Sequence, residues 1–362
     1  MANWIFRLGI MLFHLTDSLC DYSQENKEAV IICVSNLLLG YCESKLLLSL
    51  SRKVIEHFSP IVTDIKARKA LNYLSRTSYT TRAYNDITYH IDVVLKKKDD
   101  SKNNELDYFF FQDSSSIQKT VLLCEDLTDC NFYMSLTKSK YGNYYICADK
   151  QTGGGSGMKK KIEDLKQTNA VVLVIADSDK MYPEKKEFGN TAKSCISAYD
   201  NSRPNIYLYV TDTHEAENLI PLEFVVTHCS KKYSGLNFIK KLKQKDALSV
   251  LQYYDYKEGI TYESIKDNQD YYNFAKDIYT KIYGDGFEKH VIDTSIKAND
   301  KQHIFPPIKS NILELYVTFL KDVKQNKLDY NYASIDANNI YRDKLCKLIL
   351  AFTCARNSEP MH

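Results

Sequence analysis

Three apolar runs of the sequence lead directly or shortly into acidic side chains. The acids are Glu125 after the first run, Asp177 and Asp179 after the second, and Glu215 and Glu217 after the third. Carboxylates brought within a few ångströms repel one another unless a cation neutralises them. Oxygen ligands favour a hard ion, so we expect one or two Mg²⁺ or Mn²⁺ ions rather than Zn²⁺. Side chains two residues apart on an extended chain point the same way, so Asp177 and Asp179 can face one ion.

A mostly parallel sheet would bring these acids together. Short, continuously apolar runs predict buried strands, and the helical patterns between them indicate an α/β domain. The predicted strands are residues 120–124, 144–148, 170–176 and 206–210, and the predicted helices are residues 129–138 and 158–166. The carboxyl ends of parallel strands form one edge of such a sheet, and ligands bind at that edge.

The central domain is predicted to lie between two helical regions. Apolar residues recur at helical spacing from residue 5 to about residue 74, and again from residue 236 to the end. Residues 87–95 alternate in polarity and residues 108–111 are aromatic, so we expect a hairpin before the central domain. The predicted domains are residues 1–116, 117–230 and 231–362.

The acidic pattern resembles the Toprim family, the catalytic module of primases, topoisomerases and OLD-type nucleases. In that family one strand ends in glutamate and a later strand ends in Asp-x-Asp, as Glu125 and Asp177-Ser-Asp179 do here. The segment from His214 to Asn218 is similar to the Glu-x-Glu-Asn element of Toprim effectors in bacterial phage-defence systems. Asp126 stands where the family often has glycine. The resemblance covers residues 119–224, less than a third of the chain.

The resemblance implies a role for each of the acids. Glu125 would bind metal or act as a general base, and Asp177 and Asp179 would bind metal. Glu215 or Glu217 would hold a second ion. Two ions about 4 Å apart would activate water and neutralise charge on the scissile phosphate.

Three further side chains are candidates for the same site. Asp129 follows Glu125 by one helical turn and is a candidate metal ligand. Lys180 is a candidate catalytic residue that would contact a phosphate oxygen, and a solvated turn residue is the alternative. His214 would tune the neighbouring glutamates or bind substrate, and a structural histidine is the alternative.

Lysines near the acidic segments are candidates for binding the nucleic-acid backbone. The candidates are Lys159, Lys160, Lys161, Lys231 and Lys232. The first three follow the glycine-rich segment 151–157 at a predicted helix start, where backbone N–H groups can bind phosphate. That segment lacks the Gly-Lys-Ser/Thr ending of an ATP-binding loop. The alternative for both groups is a solvated helix face, and a net charge of +2 places no strong field over the protein.

These patterns predict a Mg²⁺-dependent Toprim endonuclease that cleaves DNA or tRNA. The resemblance implies an effector of antiphage defence controlled by a separate ATPase, because the sequence shows no Walker motif. A primase-like or topoisomerase-like subunit would share the metal site, but no zinc-ribbon cysteines favour it. A regulatory or nucleic-acid-binding subunit without catalysis is the other alternative, against which the full set of acids argues.

The composition is typical of an ordered cytoplasmic protein. Hydrophobic residues make up 44% of the chain, and the ten cysteines show no C-x-x-C spacing, which is the pattern of reduced thiols. Arg7 and His14 interrupt the apolar residues 1–15, which predicts a core or partner-facing helix and not a signal peptide. We expect no membrane insertion, and apolar N-terminal helices make a homo-oligomer interface possible.

Overall fold

The computed structural model shows a mixed α/β protein with two four-stranded sheets and numerous helices. It describes residues 12–77, 90–97, 105–142, 144–200, 203, 205–228, 234–295, 303–309, 311–326 and 338–356. The strands in this part of the chain are β1 (Leu12–Leu15), β2 (Leu47–Leu50), β3 (Ile91–Val94), β4 (Glu105–Asp107), β5 (Val121–Cys124), β6 (Tyr145–Ile146), β7 (Asp149–Thr152), β8 (Val172–Ala176), β9 (Ile206–Val210), β10 (Ile260–Thr261), β11 (His303–Phe305) and β12 (Cys354–Ala355).

The helices alternate with the strands in the first half of the chain and predominate after β9. They are α1 (Lys27–Cys42), α2 (Arg52–Phe58), α3 (Ile65–Thr77), α4 (Leu127–Lys140), α5 (Met158–Leu165), α6 (Asn190–Ala198), α7 (Leu222–His228), α8 (Ser234–Gln244), α9 (Tyr262–Ile265), α10 (Gln269–Tyr283), α11 (Phe287–Ser295), α12 (Ile312–Asn326) and α13 (Asn339–Thr353). Among the described residues, no helix is both long and apolar enough to cross a membrane.

The chain folds into two compact units that are interleaved in sequence. The first unit comprises residues 1–175, 194–209 and 345–362, and it contains the N-terminal sheet and all of the central sheet except the last residues of β8 and β9. The second unit comprises residues 176–193 and 210–344, and it contains the turns that follow β8 and β9 together with helices α7 to α12.

The N-terminal sheet has the strand order β2-β1-β3-β4, and all three of its strand pairs are parallel. The prediction that residues 5–74 are helical is therefore wrong where β1 and β2 lie, although α1, α2 and α3 confirm it elsewhere. A four-residue apolar run such as Leu47–Leu50 is too short for its periodicity to separate a buried strand from a helical turn. Residues 5–11 lie outside the described residues.

The predicted hairpin between residues 87–95 and 108–111 is also wrong. Strands β3 and β4 pair in parallel, with Val93 opposite Leu106. The aromatic run Tyr108–Gln112 is a short 3₁₀ helix, which the Asp107 carboxylate caps by accepting a hydrogen bond from the Phe109 N–H. A polar segment between two strands does not reveal from sequence whether the strands pair in antiparallel or in parallel. Residues 87–89 and 98–104 of the predicted hairpin lie outside the described residues.

The central sheet has the strand order β7-β5-β8-β9. Strand β5 pairs in parallel with both β7 and β8. Val172 N–H donates to the Asn205 carbonyl at the start of β8 and β9, and Thr211 N–H donates to the Ala176 carbonyl at their end, so these strands also run in the same direction. The predicted strands at residues 120–124, 170–176 and 206–210 are confirmed, as are both predicted helices in α4 and α5.

The predicted strand at residues 144–148 is confirmed only in part, and it does not belong to the central sheet. Only Tyr145–Ile146 is extended there, and it pairs antiparallel with β12 in a separate two-stranded sheet. The strand beside β5 at one edge of the central sheet is instead β7, whose residues Asp149–Thr152 are polar and mostly exposed. An edge strand forms backbone hydrogen bonds without burying both faces, so it needs no apolar run. The polar sequence of β7 therefore does not show the apolar pattern of a buried strand.

The predicted helical region after residue 236 is confirmed for α8 and α10 to α13. The short antiparallel strand pair of β10 and β11 was not predicted from the sequence. The nine described cysteines are all free thiols, and Cys229 lies outside the described residues.

Candidate metal centre

The turn after β8 is fixed by its middle residue. Ser178 is buried, its hydroxyl donates to the Thr213 carbonyl at 2.6 Å, and its N–H donates to the Thr211 hydroxyl at 3.1 Å. Asp179 then adopts a left-handed backbone conformation with φ of +52°, which aspartate tolerates better than most residues. The Asp179 N–H donates to the His214 carbonyl at 3.0 Å. These bonds tie the turn after β8 to the segment after β9.

Gly189 makes close approach to the Asp179 carboxylate possible. Its N–H donates to the Ser178 carbonyl at 3.0 Å. A Cβ atom at position 189 would lie 1.8 Å from Asp179 Oδ2, which is a steric clash for any residue other than glycine. Glycine is therefore required at this position for the observed placement of Asp179.

The segment after β9 is organised around the side-chain amide of Asn218. Its oxygen accepts from the Glu215 N–H at 2.7 Å, and its nitrogen donates to the carbonyls of Leu251 and Tyr254 at 2.7 and 2.8 Å. The Asn338 amide in turn donates to the Asn218 carbonyl at 2.8 Å. Because Asn218 is buried, each of these bonds satisfies a group that water does not reach.

Asp255 enters the site from the chain between α8 and α10. Its Oδ1 accepts from the N–H groups of Lys257 and Glu258 at 2.8 and 2.7 Å. The preceding residue, Tyr254, is buried, and its hydroxyl donates to the Pro306 carbonyl at 2.6 Å. Burial acts to raise the pKa of Asp255, but these N–H groups and nearby His214 outweigh it and hold the pKa below the usual value.

His214 lies between two of these carboxylates. Its Nε2 is 3.7 Å from Glu215 Oε1 and 3.9 Å from Asp255 Oδ2, both beyond hydrogen-bond distance. The residue is only 5% exposed, and within the described part of the chain neither ring nitrogen has a hydrogen-bond partner. One ligand atom from each of the three residues lies within 4.8 Å of the other two. This set of an imidazole and two carboxylates can hold a metal ion.

Lys257 provides the positive charge beside this group. Its ammonium lies 3.2 Å from Glu215 Oε2 and 3.0 Å from Glu217 Oε1. Burial acts to lower the pKa of Lys257, but the charges of Glu217 and Glu215 outweigh it and hold the pKa above the usual value. Glu217 is 4% exposed, and burial raises its pKa to about 7 although Lys257 opposes the rise. The two predicted glutamates therefore share one lysine.

Asp179 belongs to the same electrostatic environment. Burial raises the pKa of Asp179, nearby His214 opposes this rise, and the negative charge of Glu215 adds to it. The Lys185 ammonium donates to the Asp179 carbonyl at 2.8 Å. Crowding of carboxylates in a partly buried place is the condition under which a cation binds favourably.

The remaining predicted acids are Glu125, Asp129 and Asp177. Glu125 directly follows β5, as Asp177 directly follows the neighbouring parallel strand β8. Asp126 caps α4 by accepting from the Asp129 N–H, and Asp129 completes the capping box because its Oδ2 accepts from the Asp126 N–H at 3.2 Å. Glu125 and Asp129 belong to the first unit, whereas Asp177 and the other predicted acids belong to the second. That all of them meet at shared ions stays a prediction.

The predicted basic residues differ in their exposure and in their contacts. Lys180 lies with its ammonium 4.8 Å from the centre of the Phe188 ring, a cation–π contact. Its catalytic role stays a prediction. Lys159 and Lys160 are exposed and Lys161 is half-buried in the first turn of α5. Lys231 and Lys232 lie outside the described residues.

The glycine-rich segment contacts the end of β5. The N–H groups of Gly153 and Gly154 donate to the carbonyls of Cys124 and Glu125 at 3.1 and 3.0 Å. A Cβ atom at Gly155 would lie 4.0 Å from Glu125 Oε2. The predicted loop therefore lies beside a predicted site residue, within the first unit.

Sequence reasoning missed Asp255, Lys257 and Gly189. Asp255 and Lys257 stand in the aromatic run Tyr253-Tyr-Asp255-Tyr-Lys257, where two charged residues among tyrosines are the only signal. Nothing in the sequence links that run to Glu215. Gly189 resembles any turn glycine until its distance to Asp179 is known.

Comparison with protein-family models, with curated proteins and with solved structures finds no match to this chain.

Proposed function

We propose that this chain is a Toprim-type, divalent-cation-dependent endonuclease that cleaves phosphodiester bonds in DNA or tRNA. The observation that carries the proposal is the pair of acid-bearing turns after the neighbouring parallel strands β8 and β9, which are bonded to each other through the Asp179 N–H and the His214 carbonyl. Ligands bind at this end of the strands in α/β sheets.

The residues present fit a cation in charge and in donor type. Asp177, Asp179 and Glu215 would hold it, and Glu125 would be a further ligand or the general base. A bound Mg²⁺ or Mn²⁺ would supply an activated water and neutralise charge on the phosphate. The ammonium groups of Lys185 and Lys257 lie close enough to Asp179 and Glu215 to limit repulsion among the acids.

The biological setting follows from the resemblance alone. A Toprim effector of this kind would act in the cytoplasm in antiphage defence, under the control of a separate ATPase. Lys159, Lys160, Lys161, Lys231 and Lys232 would contact the nucleic-acid backbone. Binding through these residues would weaken steeply as salt concentration rises.

The test is incubation of the purified chain with supercoiled plasmid and with total tRNA in Mg²⁺, Mn²⁺ or EDTA, followed by sequencing of product ends. Cleavage is expected with either ion and not with EDTA. Asp177→Ala should abolish it, whereas Asp277→Ala, which changes an exposed acid on α10, should not. Full activity in Asp177→Ala would contradict the proposal. Extension of a primer in place of cleavage would indicate the primase-like alternative.

A regulatory subunit without catalysis is the second candidate, and the Lys257 contacts favour it. This lysine neutralises Glu215 and Glu217 without any metal. Calorimetric titration with Mg²⁺ and Mn²⁺ separates the two candidates, because a subunit of this kind would show no binding of either ion.

A further inference from the structure

We propose that His214, Glu215 and Asp255 bind one divalent transition-metal ion, such as Mn²⁺ or Zn²⁺, in preference to Mg²⁺. This site shares Glu215 with the proposed nuclease centre, but the proposal concerns only the binding of a metal ion. It can therefore be tested separately from cleavage of nucleic acid.

The first argument is the unsatisfied imidazole. A buried polar group without a hydrogen bond is costly, and His214 has none at either ring nitrogen among the described residues. A histidinium paired with the acids would form bonds of about 2.7–2.9 Å. The observed distances from Nε2 to Glu215 and Asp255 are instead 3.7 and 3.9 Å. The gap matches an ion, since metal bonds of about 2.0–2.2 Å place neighbouring ligand atoms roughly 3–4 Å apart.

The second argument is that each ligand is held by contacts that leave one atom turned toward the gap. The His214 backbone donates to the Gln252 carbonyl and accepts from the Asp179 N–H. Asp255 uses Oδ1 for two backbone N–H groups and presents Oδ2. The Glu215 side chain accepts from the Asn218 N–H, its Oε2 lies 3.2 Å from the Lys257 ammonium, and its Oε1 lies 3.7 Å from His214 Nε2. Such outer contacts orient the ligands of protein metal sites and tune their affinity.

The third argument concerns which ion fits. Imidazole nitrogen is a common ligand for Zn²⁺ and other first-row transition ions, whereas Mg²⁺ takes oxygen ligands and keeps much of its water. Glu217 is not one of the three residues whose ligand atoms lie within 4.8 Å of one another, and its Oε1 lies 3.0 Å from the Lys257 ammonium. Three protein ligands leave at least one coordination position for water or substrate.

The experiment is titration of the full chain with Co²⁺ alone, followed by visible absorption, and calorimetry with Mn²⁺, Zn²⁺ and Mg²⁺. We expect cobalt d–d bands that are shifted and more intense than those of aqueous Co²⁺ and that saturate at one ion per chain, and binding of Mg²⁺ that is at least about tenfold weaker than that of Mn²⁺. His214→Gln and Asp255→Asn should each weaken Co²⁺ binding by at least about tenfold.

Matched controls test the location of the ion. His290→Gln removes a half-buried histidine whose Nε2 contacts the Ile304 carbonyl, and Asp113→Asn removes a carboxylate that accepts from the Ser115 N–H. Neither should change Co²⁺ binding. Asp255→Asn keeps the oxygen that accepts from Lys257 and Glu258, so it decides the question even if His214→Gln fails to fold.

Two results would overturn the proposal: a Co²⁺ spectrum with the unaltered chain that is the same as that of aqueous Co²⁺, or unchanged Co²⁺ affinity in folded Asp255→Asn. Failure of the nuclease proposal looks different. In that case Co²⁺ and Mn²⁺ bind as expected, yet plasmid and tRNA stay intact in every ion. Conversely, Mg²⁺-dependent cleavage without transition-metal binding would contradict the proposed transition-metal site and support the nuclease proposal.

Discussion

In the described part of the chain, histidines and acids come together on the N-terminal sheet and again on the turns after the central sheet. We call the first set the sheet group (His14, Ser49, His90 and Asp92). There the strand register places His14 opposite both Ser49 and Asp92. His14 Nδ1 lies 3.3 Å from the Ser49 hydroxyl, and His90 Nε2 lies 3.3 Å from Asp92 Oδ1.

The second set, the loop group, consists of Asp179, His214, Glu215 and Asp255. Its histidine is buried and has no hydrogen bond at its ring among the described residues, whereas the side chain of His90 in the sheet group is 47% exposed. In the sheet group, His14 contacts the Ser49 hydroxyl and His90 contacts the Asp92 carboxylate. The difference teaches that residue type does not define a ligand site. Burial without a partner does, because the group then has a reason to bind something else.

The largest expected effect comes from displacing one acid of the loop group. Gly189→Ala would push the Asp179 carboxylate out of place, since the new Cβ would lie 1.8 Å from Oδ2. A misplacement of about 1 Å can reduce catalysis on the order of a hundredfold. Rates of plasmid and tRNA cleavage measure the loss, and the control is Gly157→Ala, where the added Cβ meets nothing within 4 Å. Equal rates in the two variants would mean that Asp179 is not needed.

The next effect concerns how the two groups are positioned. Backbone ladders position the sheet group, whereas one buried amide positions much of the loop group. Asn218→Ala would leave the Glu215 N–H and the carbonyls of Leu251 and Tyr254 unsatisfied, which should lower the free energy of unfolding by about 3 kcal/mol. Urea denaturation measures it. Asn273→Ala, which removes an exposed amide that contacts Gln269, should cost far less. Similar losses would show that the amide is dispensable.

A smaller effect tests whether Lys257 competes with a metal ion. Lys257→Met removes a positive charge that lies 3.2 Å from Glu215. Charges about 4 Å apart interact by about 1 kcal/mol in water and by more near a protein surface, so the affinity for Mn²⁺ should rise about tenfold. Calorimetry measures the change, with Lys276→Met on α10 as the control, because that lysine pairs with Glu288 on the surface. Weaker Mn²⁺ binding would mean instead that Lys257 holds Glu215 in place for the ion.

The smallest effect lies in the sheet group. The Asp92 carboxylate raises the pKa of His90, whereas burial lowers the pKa of His14. A raised pKa in the folded state stabilises the protein below pH about 6.5, the unfolded value, and this contribution is lost as pH rises through the folded value. His90→Gln should therefore lower stability at pH 5.5 but not at pH 8, by less than about 0.5 kcal/mol because the pair is exposed.

Urea denaturation of His90→Gln at the two pH values measures this difference, and NMR titration follows each imidazole. The resonances of His90 should titrate above those of His14. The reverse order would show that the Asp92 contact does not persist in solution.

Much of the central sheet was predictable from sequence because its core strands bury both faces. Runs such as Val121–Cys124 and Val172–Ala176 are continuously apolar for that reason, so the acids that directly follow each strand could be identified from sequence. The polar edge strand β7 and the short strand β2 were not predictable. The first buries little, and the second is too short to show a period.

The sequence by itself determined the apolar strands, the helices around them and the order of acids after β5, β8 and β9, because these depend on local periodicity and burial. Only the tertiary structure decided that Asp255 lies beside His214 and Glu215 and that Lys257 forms a salt bridge with Glu217. It also decided that the Asp179 carboxylate packs against Gly189. Those contacts join residues far apart in the chain, and their distances depend on how loops pack after the strands have paired. No local pattern carries that information.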